Sequence, residues 1–198
     1  KKADTTASDI NVLNGKITNI YGGGEEANIS SKTTINITDG TITSVYGGSN
    51  KLGSVPVSNI TVNGGIIDSV YGGNNQGGVT TTTNINLNSG NINTAYGGGN
   101  KATSTTSNIK LNGSTVQTIY GGGNEAGVTT TNVNLITGSS TEVFGGSNKS
   151  GTVTTSNVKA STPQNLIIDT IYGGNNNGGK VKQTDINLSG GTYNNIYG

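Results

Sequence analysis

This 198-residue sequence predicts an all-β fold, a parallel β-helix (solenoid) of about eight coils, each of ~25 residues. Three observations carry that expectation. An aromatic-Gly-Gly motif returns at Tyr21, Tyr46, Tyr71, Tyr96, Tyr120, Phe144 and Tyr172, and Tyr197-Gly198 opens an eighth copy. Short apolar-polar-apolar runs recur at fixed distances before each aromatic. Gly, Thr and Asn together supply nearly half the chain, whereas hydrophobic residues make up only 29%.

Each repeat opens with a short strand. Eleven residues before the aromatic stand Ile10, Ile35, Ile60, Ile85, Ile109, Val133 and Ile186. Nine before it stand Val12, Ile37, Val62, Leu87, Leu111, Leu135 and Leu188, and the residue between each pair is mostly polar. Period-two alternation with β-branched residues marks a strand with one buried face. A Gly follows (Gly15, Gly40, Gly65, Gly90, Gly113, Gly191), where the chain is expected to turn. The second strand carries apolar residues four and one before the aromatic, as in Ile42/Val45 and Ile67/Val70. A spacing of three breaks the alternation, so a bulge or corner is expected between them.

One repeat offers four or five apolar side chains and cannot bury them alone; stacked repeats form a continuous narrow core. The abundance of Gly, Thr and Asn argues against a helical solenoid. The period is too short for a propeller blade. A right-handed crossover is expected. At ~4.8 Å per stacked strand, eight coils give a rod of about 38 Å. The whole chain, 1–198, is one domain by this reading. An irregular coil with an insertion near 159–166, around Pro163, is expected to bulge as a surface loop.

Composition narrows the chemistry. There is no His or Cys, which removes the usual zinc ligands, thiol nucleophiles and imidazole bases. The eleven basic residues are all Lys and the formal net charge is +1, which speaks against nucleic-acid binding. No apolar run is long enough for a membrane span. Asp68 and Asp169 share a column four coils apart, ~19 Å, too far for the ~5–9.5 Å of a glycosidase pair. Glu142 and Asp169 form the one close acidic pair in this register. The expectation is therefore a protein that is not an enzyme, with no cofactor and no metal site.

Columns of like residues have two sorts of use. Hydroxyls thirteen before the aromatic (Ser8, Thr33, Ser58, Thr83, Ser107, Thr131, Ser156, Thr184) and the adjoining Asn column are expected to hydrogen-bond along the stack. The outward Thr82-x-Asn84 and Thr130-x-Asn132 row resembles an ice-binding array, but Lys32, Val57 and Gln183 interrupt it. Lys101, Glu125 and Lys149 alternate in sign on adjacent coils and form a surface ion-pair ladder. The aromatic column is first of all a packing device. If exposed, Tyr21, Tyr46, Tyr71, Tyr96, Tyr120 and Tyr172 would be candidate ligand-binding residues, a platform for sugar rings.

The run from Asn84 to Asn100, with its Tyr96-Gly97-Gly98-Gly99 motif, resembles the Gly/Thr/Asn-rich Tyr-Gly-Gly arrays of large bacterial surface and adhesin-like proteins, which look like members of the pectin-lyase-like β-helix superfamily. The resemblance covers essentially the whole chain, and its motif is a scaffold pattern. It implies an extracellular or cell-surface setting and a structural or adhesive stalk. The catalytic branches place acidic clusters and often Arg on one face; this sequence has neither, so no catalytic residue carries over. The alternative is a carbohydrate-binding module using the Tyr row or the Pro163 loop, ahead of a polysaccharide lyase or hydrolase. Partners expected on this basis are glycans or another surface protein. The chain starts at Lys1 without Met and stops where other copies continue with Gly. It is thus expected to be a fragment of a longer chain or a filament subunit that self-associates end to end.

Overall fold

A computed structural model describes residues 2–161 and 165–198. It shows twelve strands in one parallel array and, among the described residues, no helix. The first two coils break each turn in two: β1 (Thr5–Val12) and β2 (Lys16–Tyr21), then β3 (Ile29–Ile37) and β4 (Thr41–Tyr46). The central four run as single bent strands: β5 (Ser54–Tyr71), β6 (Val79–Tyr96), β7 (Thr103–Tyr120) and β8 (Val128–Phe144). Two split coils close the series: β9 (Thr152–Ala160) with β10 (Leu166–Tyr172), and β11 (Lys180–Leu188) with β12 (Thr192–Tyr197). This is a β-solenoid of about eight turns.

Like sits over like. Ile35 pairs with Ile60, Ile60 with Ile85 and Ile85 with Ile109, while Tyr46, Tyr71, Tyr96 and Tyr120 pair in succession. The inward Ile, Val and Leu columns form one continuous core from Val12 to Ile171, with Ile35, Ile60 and Leu111 fully buried. Burial of that kind gives about 25 cal/mol per Å² of apolar area, and each coil acquires it only from its two neighbours.

Both expected corners are present. The mid-repeat glycines Gly15, Gly40, Gly65, Gly90, Gly113 and Gly191 all have positive φ, from 89° at Gly65 to 137° at Gly113. That backbone region is costly for any residue with a Cβ. Between β5 and β6 the register shifts on both sides of Asn63, so the turn is made by a bulge inside a continuous strand. At the second corner, ladder pairing passes directly from Ile67/Ile92 to Ser69/Thr94 and leaves Asp68 and Asn93 outside it. The insertion falls between Ala160 and Leu166, after which Leu166 and Ile168 rejoin the core. The expected loop at Pro163 itself lies outside the described residues.

Candidate functional site

The aromatic column was the sequence's candidate platform, and its rings stack on one another. From Tyr21 through Tyr46, Tyr71, Tyr96, Tyr120, Phe144 and Tyr172 to Tyr197, every successive pair has centroids 4.6–5.1 Å apart and planes within 14°. Each inner ring therefore has a neighbour on both faces. Tyr46, Tyr71, Tyr96 and Tyr120 are buried, Tyr71 being 9% exposed, and Tyr21 and Tyr172 are half-buried. This leaves ring edges, not faces, toward solvent along the inner coils. The hydroxyls of Tyr96 and Tyr120 accept hydrogen bonds from Asn148 and Asn176, at 3.3 and 3.2 Å. Burial pushes the Tyr46, Tyr71 and Tyr96 phenols above their usual range, and Tyr120 up to about 12.

The polar columns divide into ladders and interior bonds. Amide ladders run from Asn59 through Asn84, Asn108 and Asn132 to Asn157, with steps of 2.9–3.0 Å. A second ladder runs from Asn50 through Asn75, Asn100, Asn124 and Asn148 to Asn176 in steps of 2.8–2.9 Å. The sequence reading had singled out only the first. It also misplaced the hydroxyl column: Thr33, Thr83, Thr131 and Ser156 donate inward, to the carbonyls of Gly47, Gly97, Gly145 and Gly173 in their own coils, and Thr83 makes in addition a long 3.5 Å contact to the Thr106 carbonyl of the next coil. The reason is that strand alternation turns this position into the core, where the Gly carbonyl after the aromatic would otherwise lack a donor.

Charges sit on the surface. Glu125 bridges Lys101 at 3.8 Å and Lys149 at 3.1 Å, so the alternating ladder forms as expected. In the first coils the pairing slips by one, since Lys51 meets Glu25 at 2.8 Å and Glu26 meets Lys2. The salt-bridge partner Lys51 holds the Glu25 carboxyl below its usual range. Glu142 pairs in the ladder with Thr170, one position beyond Asp169. Among the described residues no three His, Cys, Asp or Glu gather as a metal-holding group, and no helix is long and apolar enough to cross a membrane.

The surface feature not picked out in the sequence is a groove of about 640 Å³ along the second strand face. It runs from Thr41 and Thr43 on the second coil to Thr192 and Asn194 on the eighth. Residues five before the aromatic form one wall, residues three before it form the other, and the buried Ile42, Ile67, Ile92 and Val116 make the floor. The wall positions project because the corner takes the third residue before the aromatic out of the ladder. Ile66 and Ile167 project into solvent here, 60% and 59% exposed. The sequence held one signal for this: an apolar pair followed by Asp (Ile66-Ile67-Asp68, Ile167-Ile168-Asp169) where other coils have a polar first residue.

No family model, curated protein or solved structure matches this chain.

Proposed function

We propose that this chain is a structural and adhesive rod segment of a bacterial cell-surface or secreted protein, working outside the cell. The observation that supports the reading is that several side-chain columns serve coil-to-coil continuity. The apolar core, the aromatic stack and two amide ladders all run along the axis, as a stalk under tension requires. The Gly/Thr/Asn-rich Tyr-Gly-Gly composition supports the surface setting. End-to-end association of copies through parallel strand pairing is part of this proposal. Immunogold labelling of the producing bacterium, with antibody raised against the chain, tests the location. Label on the envelope is expected, and label confined to the cytoplasm overturns the reading.

A second reading, glycan binding, is favoured by the groove and not by the Tyr faces. Its walls offer hydroxyl or amide groups on the coils other than those of Asp68 and Asp169, and the projecting Ile66 and Ile167 offer apolar surface. That mixture is what sugar rings use.

A further inference from the structure

The geometry points to a linear polysaccharide bearing free, cationic amino groups as the occupant of the groove beside Asp68 and Asp169. This rests on the glycan-binding reading of that groove. Its lining contains two carboxylates, Asp68 and Asp169, and no Lys. Glu25, Glu26 and Glu125, in the loops after the aromatic, have lysine partners, whereas among the described residues no lysine pairs with either groove carboxylate. Asp68 is exposed and, among the described residues, takes the Asn93 amide, at 3.0 Å, and the Ser69 hydroxyl, at 3.3 Å. Asp169 is likewise exposed, held by the Asn194 amide and the Thr170 hydroxyl. Neutral donors orient a carboxylate while leaving its charge available to an arriving cation.

Each carboxylate comes with an apolar neighbour. Ile66 lies two residues before Asp68 and Ile167 two before Asp169, on the opposite wall. The two Ile–Asp sites are four coils apart, ~19 Å along the axis, and hydroxyl or amide groups line the coils between them. A chain of sugar rings lying along the axis can set its C–H faces on the Ile side chains and hydrogen-bond its hydroxyls and amides to the walls. Its amines then meet the Asp carboxylates. A polyuronate meets like charge at both sites and is disfavoured. An extended peptide fits less well, because the strands have already paired their backbone groups from coil to coil. Strand addition, the usual source of peptide affinity, is therefore closed.

Titration calorimetry of the chain with glucosamine, N-acetylglucosamine and galacturonate oligomers of one length tests this, with oligolysine as the peptide probe. Glucosamine oligomers are expected to bind best, with affinity falling as salt rises, and galacturonate oligomers not at all. Asp68→Asn with Asp169→Asn is expected to weaken the glucosamine oligomer at least tenfold; Asp185→Asn, outside the groove, leaves it unchanged. Both carboxylates are exposed and Asn is isosteric, and circular dichroism confirms that the variants fold. Galacturonate or oligolysine binding as tightly as the glucosamine oligomer overturns the proposal, as does unchanged affinity in the double variant. If N-acetylglucosamine oligomers bind equally well and ignore the Asp changes, the charge inference falls and the glycan-binding reading survives. If no oligosaccharide binds, both fall.

Discussion

The Thr83 hydroxyl donates to the Gly97 carbonyl at 2.5 Å, across the interior of a single coil. The same bond joins Thr33 to Gly47, Thr131 to Gly145 and Ser156 to Gly173. It ties the first strand of a coil to the loop that follows its second strand, so it closes the coil upon itself. Ladder bonds then fasten one closed coil to the next. Ser58 holds the equivalent place, fully buried, yet its hydroxyl has no partner among the described residues. Thr83→Val keeps the volume and leaves the Gly97 carbonyl without its donor, an expected loss of about 1–2 kcal/mol. Ser58→Ala removes a hydroxyl that makes no bond and is expected to be neutral or slightly stabilising. Urea denaturation of the two variants checks the contrast.

The glycines after the aromatic answer to space, not to backbone angle. A Cβ on Gly97 would lie 2.2 Å from the Gly121 carbonyl oxygen and 2.9 Å from the Ser107 Cβ. Neither neighbour yields easily, one being backbone and the other a side-chain root. Gly97→Ala is therefore expected to cost about 3 kcal/mol or more, at the upper end for overpacking. Gly174 meets nothing within 4 Å and has no positive φ, so Gly174→Ala is expected to fold with an unchanged melting temperature. Thermal melts by circular dichroism compare the pair directly.

Much of this was legible because stacking makes the repeat visible: a column of Ile or Tyr in the sequence is a column in space. The interior loop chemistry was not. Three positions after the aromatic the sequence reads Gly24, Ser49, Asn74, Gly99, Gly123, Ser147 and Asn175, which looks like a tolerant turn. In the fold Ser49, Asn74 and Ser147 are fully buried there. They are polar because loop backbone beside them needs partners, and a single sequence carries no periodic sign of that need. The groove was hidden for a related reason. It arises from a corner that lifts one residue out of the ladder, and composition does not show on which side of a corner a surface is concave.

Asn74 shows what the buried position does. Its amide oxygen accepts from the Ser49 backbone N–H at 2.7 Å and the Thr80 hydroxyl at 3.1 Å. Its amide nitrogen donates to the carbonyls of Gly53 at 2.8 Å and Gly77 at 2.9 Å. Asn74→Ala takes a partner from all four groups, and although the Gly53 carbonyl keeps the Val79 N–H, the buried Ser49 N–H and Thr80 hydroxyl lose theirs, for an expected loss of roughly 2–3 kcal/mol. Asn75→Ala, one residue on in a half-buried ladder, is expected to cost about 1 kcal/mol or less. Hydrogen exchange distinguishes a local effect: in a solenoid the Asn74→Ala loss should concentrate in the coils flanking the loop.

The ring column tolerates loss of its hydroxyl better than loss of the ring. Phe144 already occupies one place, 5.1 Å from Tyr120 and 4.6 Å from Tyr172. Tyr71→Phe keeps both stacking faces and is expected to change stability by less than about 1 kcal/mol. Tyr71→Ala opens a gap in the stack and is expected to cost about 3–5 kcal/mol. Urea midpoints, with near-ultraviolet circular dichroism reporting on the stack, separate the two.

Alkaline pH should dismantle the same column. Burial raises the phenols of Tyr46, Tyr71 and Tyr96, and that of Tyr120 to about 12, whereas an unfolded tyrosine ionises near pH ~10. Above that value the unfolded chain has released protons that the folded chain still holds. Stability therefore falls as pH rises, because the state binding fewer protons is favoured. The tyrosine contribution is fully present below pH ~10 and is lost progressively on the way to pH ~12. Absorbance at 295 nm should show these rings resisting ionisation at pH ~11 while the coils stay stacked, then a cooperative rise coincident with loss of β-sheet ellipticity. In ~6 M urea the full tyrosine signal should instead appear near pH ~10, with no second step.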